Sequence, residues 1–185
     1  MLNSHQIELV QKSFAKVAPI ADTAAQLFYQ RMFTVQPSFR SMFPADLTEQ
    51  RGKLMKTLAL AVAGLNSIDK VVPALKSMGR RHVTYGVEDW HYDVVGTTLI
   101  WTLEQGLGAD FTDEVRAAWV TTYNIVASVM KEAAAQAIAE AKADIARLNA
   151  RLAREHAYNS THAALLQPYE SPEFQRWLQN AAMGA

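Results

Sequence analysis

Apolar residues along the first 135 positions recur with the three- and four-residue steps of α-helices, and no stretch alternates with a period of two. The first apolar face consists of Ile7, Val10, Phe14 and Val17, and Pro19 marks the place where that helix should end. The same spacing predicts helices over 24–35, from about 48 to 68, over 69–81, over 88–107 and over 112–130. We therefore predict an all-α domain of seven or eight helices.

Short polar signals predict where some of these helices begin. Asp46 and Glu49 have the spacing of a capping box, and Thr48 alone is a second candidate for that cap. Pro73 is expected in the first turn of its helix, where a missing N–H costs nothing. Thr112 is expected to cap the last helix of the domain.

The last fifty residues have a different pattern. Ile138, Ile145 and Leu152 recur every seven residues, with Ala141 and Leu148 between them. This is little more than two heptads, whereas three or four indicate a coiled coil. Two interpretations stay open, a last helix that overruns the domain and a homodimer formed through the C-terminal helix. We predict domain boundaries at 1–135 and 136–185, with a tail from residue 159 that is either a flexible end or a short docking helix.

Composition narrows the possible functions. Eighteen basic and eighteen acidic residues cancel, which argues against a nucleic-acid partner. The absence of cysteine excludes disulfides and thiolate metal sites, so a metal needs histidine or carboxylate ligands or arrives inside a cofactor. No signal peptide is visible, and the longest apolar run, 58–65, is too short to span a bilayer. We expect a cytoplasmic protein with no membrane partner.

The histidines are the main candidates for functional side chains in this sequence. The sequence lacks the common motifs of hydrolases, nucleotide-binding loops and zinc proteases. Of five histidines, only His82 and His91 lie in the main domain, and they are too far apart to share one helix face as a metal pair. A single histidine opposite an apolar helix suggests a haem pocket. By itself, however, a lone histidine at a helix end is more often structural.

Three blocks of sequence resemble bacterial globins. The first is Leu27–Phe33, followed by Pro37 and Phe43, and it is similar to their second and third helices. The other two blocks are Arg80–Gly96 and the last-helix residues Ala118, Trp119 and Tyr123. The likeness is to the globin domain of flavohaemoglobins and to single-domain bacterial haemoglobins. It implies a globin fold, a three-over-three helical sandwich around haem b, with a C-terminal helical extension.

The resemblance also implies roles around the iron. His82 matches the histidine that ligates haem iron, and Phe43 matches the phenylalanine that wedges the haem in place. Tyr29 and Gln50 match the distal tyrosine and glutamine, and Leu54 follows one turn later. Two hydrogen bonds from this pair would stabilise a partly negative diatomic ligand. The alternatives are a Gln50 that turns to solvent and a Tyr29 hydroxyl that bonds elsewhere.

Other implied contacts lie at the edge of the haem and behind its ligand. Lys53 and Arg81 are candidate partners of the haem propionates, although either is equally well an ordinary solvated charge. Tyr92 matches a tyrosine that contacts the ligand histidine. In the family a glutamate on the last helix completes this network, and here that position is Ala134. The departure puts the electron donation of that network in doubt.

Three functions follow from the resemblance. The first is binding of O2 and NO with nitric oxide dioxygenase chemistry, in which Tyr29 and Gln50 are catalytic and a separate reductase supplies electrons. The second is storage or delivery of O2. The third is a gas sensor that signals through the C-terminal helix. A helical protein that shares the fold without haem is a further alternative.

Overall fold

A computed structural model describes the backbone of residues 2–183 and the side chains of residues 2–164 and 171–179. Its described part contains helices and no strands, as the hydrophobic spacing predicts. Short 3-10 turns join several of the α-helices, for example at Pro37–Met42 and Gly64–Ser67. The α-helices are α1 (Ser4–Val17), α2 (Ala21–Val35), α3 (Thr48–Ala63), α4 (Ile68–Thr84), α5 (Asp89–Leu107), α6 (Asp113–Glu170) and α7 (Pro172–Met183).

The helix starts differ in how well they follow the predicted caps. Thr112 caps α6, since its hydroxyl accepts from the N–H of Val115 at 3.3 Å. The capping box before α3 is wrong, as is a Thr48 cap, because Leu47 occupies the cap position without a side-chain bond. Instead, the Asp46 carboxylate accepts from the backbone N–H of Thr48 at 2.9 Å. Pro73 lies beyond the first turn, because α4 begins at Ile68.

Two apolar clusters form the interior of the first unit, Met1–Ile138. The larger one joins α1, α2, α3, α5 and the start of α6, and Trp119 is buried in it. The indole N–H of Trp119 donates to the Ser13 hydroxyl at 2.9 Å, which satisfies the polar atom of the largest buried side chain. The smaller cluster joins α4, α5 and α6 around Leu75 and Tyr92. Tyr123 packs against both clusters.

A close approach of α4 to α6 depends on Gly79. A Cβ atom at this position would lie 2.2 Å from the Met130 carbonyl oxygen and 2.8 Å from its Cα. Both are backbone atoms, so no side-chain rotation can relieve the overlap. Because Gly79 lies three residues before His82, it also sets where that histidine stands relative to α6.

The substitution Gly79→Ala is expected to lower the free energy of unfolding by about 1–3 kcal/mol, the usual range for forced overpacking. Gly52→Ala is the matched control, since a Cβ there meets nothing within 4 Å. Removing a glycine from the interior of α3 is expected to stabilise the protein by about 0.5–1 kcal/mol. Urea denaturation of both variants measures the difference. Equal midpoints would show that α4 does not need this close approach.

The second unit, Ala139–Ala185, contains the last part of α6 and the whole of α7. The division falls close to the predicted boundary at residue 135. The tail from residue 159 is helical to Glu170 and again over Pro172–Met183, and residues 184 and 185 lie outside the described part. The described side chains of α6 from residue 139 onward are exposed.

One span of the described chain, Thr48–Thr84, is apolar enough over 18 residues to cross a membrane by composition, with a mean hydropathy of 1.4. In the structure this span is not one helix, because the 3-10 turn Gly64–Ser67 separates α3 from α4. Apolar residues from both helices enter the two clusters, as Val62 and Leu75 do. Core helices of soluble proteins meet the same criterion.

Candidate functional site

His82 lies in the last turn of α4 with one ring nitrogen already bonded. Its Nδ1 lies 2.8 Å from the Met78 carbonyl oxygen, and because a carbonyl only accepts, Nδ1 carries the proton. Burial lowers the pKa of His82, the bond to Met78 partly opposes this, and the charge of Arg81 lowers it further. The imidazole is therefore neutral at pH 7 and its Nε2 lone pair is free. This is the form in which histidine binds a metal, with the other nitrogen fixed by a hydrogen bond.

The Tyr92 ring packs against the same histidine. The two ring centroids are 6.1 Å apart with an interplanar angle of 27°. Tyr92 is buried, and its hydroxyl has no hydrogen-bond partner among the described atoms. Burial, and then the charge of Asp89, raises the pKa of Tyr92, so the phenol stays protonated. A neutral hydrogen-bond donor thus lies unused beside His82.

Tyr123 fixes the position of Tyr92 from α6. Its hydroxyl donates to the Tyr92 backbone carbonyl at 2.6 Å, and burial raises the pKa of Tyr123 strongly. Gly96 makes room for this ring, because a Cβ there would lie 2.5 Å from an edge atom of Tyr123. Tyr92, Gly96 and Tyr123, which all belong to the resemblance blocks, are therefore packed together, and Tyr92 joins this group to His82.

A lysine of α6 approaches the Tyr92 ring, three residues before the position at which the resemblance implies a glutamate. The Lys131 ammonium lies 5.4 Å from the centre of the Tyr92 ring and 3.7 Å from an Asp93 carboxylate oxygen. Lys131 is not among the predicted site residues, because no local pattern links positions 92 and 131. Ala134 offers no acceptor for the Tyr92 hydroxyl. The electron-donating His–Tyr–Glu network of the family is thus incomplete in this chain.

Tyr29 and Gln50 are brought together from α2 and α3. Burial raises the pKa of Tyr29, and a side-chain hydrogen bond with Gln50 partly opposes that rise. Gln50 is half-buried and does not turn away to solvent. The Tyr29 ring also packs edge-on against Phe43 and Phe28, with centroid distances of 5.5 and 5.2 Å. The result is a polar pair with apolar surroundings.

The remaining predicted residues flank this pair. Leu54 is half-buried against the larger cluster, and it lines a small apolar cavity with Phe28 and Leu58. Lys53 is exposed and bonds to Glu49 at 2.7 Å, one turn earlier on α3. Arg81 is also exposed, and its guanidinium donates to the Ser77 hydroxyl at 3.1 Å. Both cations are accessible to solvent, as a side chain that binds a haem propionate must be. Each also interacts with a neighbouring side chain on its own helix.

His91, the second histidine of the domain, has a structural role. It stands in the first turn of α5, where its Nδ1 accepts from the Glu88 backbone N–H at 2.9 Å. Glu88 in turn caps the backbone of His91, so the pair forms a reciprocal capping box. Among the described side chains, no three histidine or carboxylate residues gather as a metal site. A metal at His82 would therefore have to be carried in a cofactor that supplies its other ligands.

The globin family model matches residues 26–130, which is more than half of the chain. The chain belongs to the globin family. Membership of this family implies that this globin binds haem and diatomic gases. The family and the all-α fold are therefore confirmed.

Curated relatives of this globin include flavohemoproteins. Those of Bacillus subtilis, Rhizobium meliloti and Rhodopirellula baltica are 26%, 28% and 29% identical over 69%, 70% and 70% of this chain. The matched segments amount to 33%, 33% and 32% of those proteins, so the chain matches about a third of their length.

Two solved structures share the fold. One is an engineered carbene transferase, a provisionally assigned nitric oxide dioxygenase from Rhodothermus marinus, with a TM-score of 0.70 and 23% identity over 77% of this chain and 99% of that chain. The other is a bacterial globin from Campylobacter jejuni, with a TM-score of 0.66 and 19% identity over 72% of this chain and 97% of that chain.

The residues of this globin fit a haem. A haem iron needs an axial nitrogen, and the protonated Nδ1 of His82 leaves Nε2 available for it. A macrocycle needs apolar contacts, which Phe43 and Leu54 provide from the larger cluster. The propionates need accessible cations, and Lys53 and Arg81 are exposed. Each requirement is met by a different part of the chain.

Proposed function

We propose that this globin binds haem b through His82 and converts NO and O2 to nitrate, with electrons from a separate reductase. The observation that carries the proposal is the buried Tyr29 of α2, which packs against Phe43 and Phe28 and has Gln50 of α3 close enough to lower the pKa of its phenol. The flavohemoprotein relatives and the provisionally assigned nitric oxide dioxygenase support this reaction for a chain of this family. We also propose that the protein acts in the cytoplasm.

Haem would supply the iron centre on which the two gases react. The protein supplies hydrogen-bond donors and their surroundings. The raised pKa of Tyr29 keeps its hydroxyl protonated, so it donates to a diatomic ligand that has gained negative charge. The Gln50 amide, which approaches the Tyr29 hydroxyl closely enough to lower its pKa, is the second donor. Phe43 excludes water on one side of this pair.

A reductase is part of the proposal because repeated turnover consumes electrons, and the flavohemoprotein relatives extend well beyond the segment that they share with this chain. The test is aerobic NO consumption by the haem-loaded protein with NADPH and a flavin-containing reductase. We expect continued consumption over many equivalents with the reductase and about one equivalent without it. Consumption limited to one equivalent in both cases would contradict the enzyme and favour storage or delivery of O2.

Gas sensing is a second candidate function, and a specific observation favours it. The helix α6 continues from Asp113 to Glu170 without a break, and it carries Tyr123, which bonds to the backbone of Tyr92 beside His82. A structural change at His82 can therefore be transmitted through Tyr92 and Tyr123 to α6, the helix that forms the extension. A sensor requires that hydrogen exchange in residues 139–164 differs between the ligand-free and ligand-bound forms.

The partner of the C-terminal helix is also part of the proposal. Four large apolar residues of the extension, at positions 138, 145, 148 and 152, are exposed at heptad spacing. A second copy of the chain would cover them and form a homodimer.

A further inference from the structure

An exposed apolar stripe runs along α6 from residue 138 to residue 152. It consists of Ile138, Ile145, Leu148 and Leu152, whose side chains are 42%, 59%, 55% and 43% exposed. Ala141, also exposed, lies between the first two. The spacing places all five residues on one face of a regular helix, two per heptad. Large apolar residues left exposed in such a row are typical of a surface that another helix covers.

We propose that a second copy of this chain covers the stripe, with the two helices antiparallel and Ile145 of each copy against Leu148 of the other. In this register Ala141 of each copy lies opposite Leu152, so that a small side chain faces a large one. Four apolar layers then lie next to one another along the pair. The inference deepens the self-association proposed above and does not depend on the reaction at the haem.

Charges beside the stripe favour this arrangement. Asp144 and Arg151 each immediately precede a stripe residue, and both lie on the same edge of the stripe. In the antiparallel register Asp144 of one copy lies beside Arg151 of the other, and symmetry produces the pair twice. Both side chains are more than 70% exposed, and each forms an ion pair on its own helix, Asp144 with Arg147 and Arg151 with Glu155. Because these pairs lie at the helix surface, both side chains can also extend toward the other copy. Opposite charges at these flanking positions select partner and orientation in coiled coils.

The other arrangements lack this complementarity. Parallel helices in register place Asp144 beside Asn149 and Arg151 beside His156, so no acid meets a base. Sliding the antiparallel pair by one heptad places Arg151 beside its own copy in one direction and Asp144 beside its own copy in the other. Like charges in such positions are unfavourable. Of these arrangements, only the stated register places Asp144 beside Arg151 at both ends of the interface.

The heptad spacing of the stripe continues to Glu155, and this acidic residue is compatible with the proposed pairing. Glu155 follows the stripe and lies opposite Ile138 of the other copy at each end of the interface. Its carboxylate is held on the helix surface by Arg151, with an Nε–Oε1 distance of 2.9 Å. The hydrocarbon part of Glu155 then contacts Ile138 while its charge stays in solvent.

Cysteine cross-linking tests the orientation, because the parent chain has no cysteine. An equal mixture of Leu152→Cys and Ala141→Cys haem-loaded protein is expected to form a disulfide between the two variants on oxidation. Leu152→Cys by itself is not, since its two copies lie eleven residues or about 16 Å apart along the pair, beyond the reach of a disulfide. A disulfide within Leu152→Cys dimers would overturn the antiparallel arrangement. A monomeric mass of the parent in sedimentation would overturn self-association itself.

Charge reversal tests the register. Asp144→Arg has arginine at both flanking positions, and Arg151→Asp has aspartate at both. Each variant alone is expected to dimerise at least about tenfold more weakly, and a mixture of the two is expected to form a heterodimer. Arg154→Asp, on the opposite face, is the control and should dimerise like the parent. Unchanged dimerisation of both reversed variants would overturn the pairing of Asp144 with Arg151.

Discussion

His82→Ala is expected to abolish stable haem binding by this globin. The Nε2 of His82 is the proposed axial donor, and alanine removes it while the apolar contacts remain. Removing a group that only orients a metal ligand costs roughly 10–100-fold in affinity, so the loss of the ligand itself should exceed about 100-fold. The measurement is haem transfer from the holoprotein to an excess of a high-affinity haem acceptor, followed at the Soret band. Added imidazole should restore the Soret band of a His82→Gly variant.

His91→Ala is the matched control for this experiment. It removes the other histidine of the domain and with it the capping box of α5, at a cost of about 1–2 kcal/mol in stability. We expect slower folding or a lower melting temperature for this variant, with haem retained. If both variants retain haem, His82 is not the axial ligand. If the parent shows no Soret band after loading, the protein shares the fold without the cofactor.

The arrangement of helices could be predicted from the sequence, because burial leaves a periodic trace. The steps of three and four in α1, together with Pro19 and Pro37, place the first helices to within a few residues. The cap of α3 was predicted wrongly because it depends on the backbone angles of Leu47 and Thr48, on which hydrophobic spacing has no effect. Errors of this kind are confined to helix ends.

The candidate site could likewise be predicted only in part from the sequence. Tyr29 and Gln50 lie on different helices, and only the family resemblance predicted that they act together. The contact of Lys131 with Tyr92 could not be predicted, since it depends on how closely α6 approaches α4 and α5. That approach is allowed by the missing side chains of Gly79 and Gly96, and packing of this kind leaves no pattern in the nearby sequence.

Removing the polar pair is expected to speed O2 dissociation more than any other change outside His82. Charge-assisted hydrogen bonds contribute roughly 1.5–3 kcal/mol each, and 1.4 kcal/mol corresponds to tenfold. Tyr29→Phe and Gln50→Leu should therefore each raise the dissociation rate by about ten- to a hundredfold. The double variant should fall short of the product of the two, because the hydrogen bond between Tyr29 and Gln50 couples their effects. Stopped-flow displacement of O2 by CO measures all three rates.

Gln30→Leu is the control that separates a lost hydrogen bond from a general change in polarity. Gln30 follows Tyr29 on α2 and is exposed, so the same chemical change occurs one residue away without touching the pair. Its dissociation rate should equal that of the parent. Equal rates for the parent, Tyr29→Phe and Gln50→Leu would mean that neither side chain reaches the ligand. The dioxygenase proposal would then lose its main support, whereas haem binding through His82 would be unaffected, since it depends on a different helix.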